Sequence, residues 1–96
     1  MAATSQFTAN STGYTAVVTQ SVCKNVRIIE NAGDAGFPTT DILIAKPTAS
    51  ATPVRILGGQ SYTFNSPASF FVAGATVGYV KTVSGSITVD QDEDQP

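Results

Sequence analysis

The side chains that move protons, hold metals or attack carbonyl groups are scarce in this 96-residue chain. Histidine is absent, which removes the usual proton carrier near pH 7 and every imidazole-based zinc site. The single cysteine, Cys23, can supply neither a thiolate cluster nor an internal disulfide. Its place in a β-branched stretch reads as a small buried hydrophobe. The 22 Ser and Thr hydroxyls have only Lys24, Lys46, Lys81 or a carboxylate as activating base, and no Ser-Lys motif occurs. Glu30, Asp34 and Asp41 are the carboxylates before residue 90, and nothing in their spacing sets a substrate between two of them. Gly58 and Gly59 lack the G-x-x-x-x-G-K-[ST] frame of a phosphate loop and read as a turn. The expectation is a protein without enzymatic activity, cofactor or metal, acting through its surface.

Charge narrows the choice of partner. Residues 1–89 carry Lys24, Arg27, Lys46, Arg55 and Lys81 against Glu30, Asp34 and Asp41. Residues 90–96 add Asp90, Asp92, Glu93 and Asp94, bringing the net charge to −2. Five scattered cations form no phosphate-binding stripe. Tyr62, Phe64, Phe70, Phe71 and Tyr79 could stack on bases, but the acidic block opposes nucleic acid. Asp90, Asp92 and Asp94 lack the glycine and the distal glutamate of a calcium loop. The block therefore reads as a solvated C-terminal tail. No apolar run reaches 18 residues, and the first residues lack a basic region and an apolar signal core. Neither membrane nor nucleic acid is expected as a partner.

The elements that must present such a surface are strands. Val, Ile and Thr number 29, against two Leu and one Met, a balance that favours β-structure over long helices. Residues 1–13 are small and polar and read as an extended N-terminal arm. Strands are expected over 14–19, 22–30, 41–46, 54–57, 60–64, 69–74, 76–83 and 86–90, bounded by Gly, Pro and Ser-Gly turns. The reading is one all-β domain over 14–89, a small antiparallel β-sandwich or flattened barrel of six to eight strands, flanked by the arm and the 90–96 tail. Val26, Ile28, Ile42, Ile44, Ile56, Tyr62, Phe64, Val80, Ile87 and Val89 are the expected core. The loops at 31–40 and 47–53 are long and exposed in this reading. Phe7, Phe37 and Arg55 are the candidate interface anchors, because aromatic residues and arginine carry a large share of interface energy.

Four stretches, KNVRIIENAG (24–33), DILIAK (41–46), GGQSYTF (58–64) and GATVGYVKTVSGSITV (74–89), cover 39 of the 96 residues. In this order they resemble small phage virion structural proteins of the capsid decoration, or cement, type. The resemblance consists of turn glycines and β-branched strands. It implies a non-enzymatic protein on the exterior of an icosahedral capsid, made in the host cytoplasm and bound to the major capsid protein. It also implies a homo-oligomer, with a trimer as the expected form. Two other readings fit the same composition: a tail-, portal- or fibre-associated β module of the virion, and a cytoplasmic ligand-binding β-sandwich.

Overall fold

The computed structural model describes residues 2–30, 41–46, 48–57, 60–66 and 69–94. They form eight strands in two four-stranded antiparallel sheets. The strands are β1 (Ala2–Ala9), β2 (Thr15–Val18), β3 (Asn25–Glu30), β4 (Ile42–Ala45), β5 (Val54–Ile56), β6 (Ser61–Asn65), β7 (Thr76–Thr82) and β8 (Ile87–Asp94). One sheet has the order β1-β8-β3-β6 and the other β2-β7-β4-β5. The expected all-β sandwich is what the chain adopts.

The pairings follow a single rule. β4 pairs with β5, β3 with β6, β2 with β7 and β1 with β8, so the chain is a set of nested hairpins centred on the β4–β5 connection. Two further ladders, β3–β8 and β4–β7, form when this long ribbon rolls up on itself. That is the strand order of a jelly roll. Because every pair is antiparallel, the connections fall at two opposite ends. The β2–β3, β4–β5 and β6–β7 connections share one end with Ala2 and Asp94. The β1–β2, β3–β4, β5–β6 and β7–β8 connections share the other.

Alternation along the strands places the core between the sheets. Val26 and Ile28 of β3, Phe64 of β6, and Ile87 and Val89 of β8 meet Val17 of β2, Ile42 and Ile44 of β4 and Val80 of β7. Ile56 and Tyr62 are half-buried against this cluster. All ten expected core residues lie in it or against it. The Tyr62 and Phe64 rings meet edge to face, centroids 4.9 Å apart. Gly78 is what lets Phe64 in: a Cβ on this buried β7 glycine would overlap the Phe64 ring. The overall extents, 36 × 31 × 17 Å, match two sheets stacked about 10 Å apart with their side chains.

The chain ends depart from the sequence reading. Residues 2–9, expected as an arm, are a full edge strand paired to β8 from Ala2↔Asp94 to Ala9↔Ile87. Residues 90–94, expected as a solvated tail, are the second half of β8, which lies between β1 and β3. The physical reason is visible in β8. Ile87, Val89, Gln91 and Glu93 point inward, while Thr88, Asp90 and Asp92 alternate with them outward and Asp94 closes the strand exposed. Two of its inward residues are polar, so the apolar signal stops at Val89 although the strand does not. The expected strand at 69–74 reduces to one bridge, Cys23↔Phe71, closed by hydrogen bonds of 3.1 and 2.7 Å.

Candidate interaction surfaces

The most elaborate polar arrangement is buried. Glu93, 1% exposed, accepts four hydrogen bonds. Its Oε1 takes the Ser21 N–H at 3.0 Å and the Ser21 hydroxyl at 2.7 Å. Its Oε2 takes the Gln20 N–H at 2.7 Å and the Gln91 side-chain amide at 2.7 Å. The Gln91 amide also donates to the Val18 carbonyl at 2.8 Å. Burial pushes the Glu93 carboxyl up, but the donors from Gln20, Ser21 and Gln91 outweigh it and hold the group below its usual value. With every donor aimed at the ionised form, Glu93 is a fixed anion clamping β8 to the β2–β3 corner. It is not placed as a general acid or base.

Thr19 continues the same corner. Its hydroxyl donates to the Val72 carbonyl at 2.6 Å and accepts from the Ala75 N–H at 2.9 Å. The Thr19 backbone meets Ala75 and Gly74 at 2.9 Å each. Thus one end of the sandwich is held by Thr19, Ser21, Gln91 and Glu93, all satisfied; among the described residues no buried side-chain nitrogen or oxygen lacks a partner. Cys23 is fully buried beside this corner. Burial first, then the charges of Glu93 and Asp94, pushes its thiol up and makes it a poor nucleophile.

The outer faces of the two sheets differ in character. On the β1-β8-β3-β6 sheet, Thr4, Gln6 and Thr8 flank the outward aspartates of β8, with Arg27 on the far side. Gln6 donates to Asp90 at 2.7 Å, Thr4 to Asp92 at 3.1 Å, and Arg27 pairs with Asp92 at 3.2 Å. The other sheet presents Leu43, Tyr79 and Lys81, and the Lys81 ammonium lies 5.6 Å from the Tyr14 ring centre. Among the described residues no group of three metal-ligating side chains forms. The acidic row therefore stays a surface feature, tied down by neutral and cationic neighbours.

The candidate anchors separate. Phe7 lies on β1, half-buried and packed against the core cluster. Arg55 projects from the short edge strand β5 and bonds Asp41 through Nε at 2.9 Å and Nη2 at 2.7 Å. Phe37 lies outside the described residues. The sequence reading missed the apolar side chains exposed at the Glu93 end. There the Cys23–Phe71 bridge sets Val22 opposite Val72 and Lys24 opposite Phe70, and Val72 is 68% and Phe70 45% exposed. The signal was available only in part, since SFFVAG reads as an ordinary buried strand until the bridge shows that it is a corner. No family model matches the chain, and a search of curated proteins finds no match either.

Proposed function

We propose that this protein is a non-enzymatic virion component that decorates and cements a phage capsid from outside by binding the major capsid protein. The observation that carries the reading is the strand order: a jelly roll is an architecture of viral capsid domains, though lectins and cupins share it. The resemblance of residues 24–33, 41–46, 58–64 and 74–89 to capsid decoration proteins supports the same reading. So does the chemistry: among the described residues the one buried carboxylate is locked in a structural network, and the one thiol is buried and protonated. Fold alone does not assign function, so the site must decide. Val22, Phe70 and Val72 form the apolar surface by which the protein docks on the shell. A tail-, portal- or fibre-associated role is the second reading within a virion.

Mass spectrometry of purified particles tests the proposal. The protein should be present at a fixed, high copy number relative to the major capsid protein. A few copies per particle would favour the tail or portal reading, and absence would end both. Val72→Ser together with Phe70→Ser should lower capsid occupancy at least tenfold while leaving the β-spectrum intact, because aromatic and fully desolvated apolar contacts dominate interface energy.

A further inference from the structure

A sheet edge exposes a row of unpaired N–H and C=O groups, and natural proteins blunt such edges with charge, proline, bulges or short length. Four strands of this sandwich are edges: β1, β6, β2 and β5. Three of them are blunted. β5 has three residues, follows Pro53 directly and carries Arg55. β2 has four residues and a register break between Val17 and Val18. β6 has five residues, and the sequence places Pro67 two positions beyond its end.

β1 has none of these devices. It runs for eight residues in unbroken register, about 27 Å, and AATSQFTA contains no charge, proline or glycine. β8 is its only ladder partner among the described strands. A groove of about 160 Å³ opens beside it, lined by Phe7 and Ser5 on β1 and by Ala16 and Val18 on β2.

We infer that β1 is a homodimerisation edge, pairing antiparallel with β1 of a second copy across a two-fold axis to join two four-stranded sheets into one of eight. The strand selects a copy of itself for three reasons. A register centred on Gln6, which keeps like faces opposite each other, pairs Ala3 with Ala9 and leaves only Ala2 of each strand over. The outward side chains Thr4, Gln6 and Thr8 are neutral hydrogen-bonding groups, a favourable set to place opposite themselves. The nearest like charges, the outward aspartates of the two β8 strands, would stand three strand spacings apart, about 14 Å, beyond the screening length of about 8 Å at physiological salt. An isologous contact of this kind closes at two subunits. It therefore departs from the trimer that the resemblance to decoration proteins implies, and it holds whether or not the protein belongs to a capsid.

Sedimentation of the isolated native chain, from micromolar to near-millimolar concentration, provides the test. The expected result is a monomer–dimer equilibrium. Thr4→Lys with Gln6→Lys puts like charges opposite each other in the dimer while keeping Asp92 and Asp90 as partners within each chain. This pair should weaken dimerisation by about tenfold or more at an unchanged β-spectrum. Amide hydrogen exchange on the unsubstituted chain gives an independent reading. Those β1 amides that do not bond β8 should become protected as concentration rises. A chain that stays monomeric, a trimer, an association indifferent to both lysines, or β1 amides whose exchange ignores concentration would each overturn the inference.

Discussion

Glu93 is a carboxylate whose four donors come from three residues, so its charge belongs to the fold as much as any apolar side chain does. Its carboxyl sits below the usual 4.5, so the ionised form is favoured more in the folded than in the unfolded chain. The stability this confers is complete above about pH 4.5 and is lost as pH falls through the folded value. Glu93→Gln turns an amide NH₂ toward donors that need an acceptor, and should cost about 2–4 kcal/mol at pH 7 in urea titrations. The difference from the native chain should shrink as pH falls below about 4.5 and through the lowered folded value, beyond which a protonated Glu93 has the same mismatch. Gly78 makes a second residue-scale prediction. Gly78→Ala forces a methyl into the Phe64 ring and should destabilise by about 1–3 kcal/mol. Combined with Phe64→Leu, the cost should fall short of the sum of the single changes, as for any pair sharing one space.

At the scale of elements, β8 decides the most. Deleting residues 90–96 would be harmless if they were a tail. Since residues 90–94 are ladder partners of both β1 and β3, the deletion should abolish the cooperative thermal transition seen by far-UV circular dichroism. The same strand explains what the sequence could and could not disclose. Strands β3, β4 and β7 announce themselves through Val26 and Ile28, Ile42 and Ile44, and Val80, because a face buried between sheets demands apolar side chains every second residue. Beyond Val89 the inward positions fall to Gln91 and Glu93, whose burial is licensed by backbone donors on the distant β2–β3 corner. No local pattern encodes a partner some seventy positions away. The aspartates at 90, 92 and 94 do keep the two-residue period, and that alternation was the one legible trace of a strand. β1 was hidden differently: its inward residues Ser5, Phe7 and Ala9 include one large apolar side chain. Of the candidate surface residues, Arg55 was legible as an exposed cation, whereas the exposure of Val72 follows from a corner that strand propensity does not foresee.

For the whole molecule, stability rests on one thin core shared by both sheets. Ile44→Ala or Ile28→Ala, each buried near its centre, should cost about 2–5 kcal/mol, a large part of what a domain this small possesses, measurable as a lowered urea midpoint. The nested pairing has a further consequence during synthesis. The middle hairpin, β4 with β5, is complete once residue 56 of 96 has been made, and each outer pair must wait longer than the one inside it. β1 emerges first and meets β8 last. At about 5–20 residues per second, close to ninety residues of translation separate them, a wait of about 5–18 s. Throughout that interval the earliest-made strand has both edges open, and the ribosome, rather than any step of folding, sets when its native neighbour arrives.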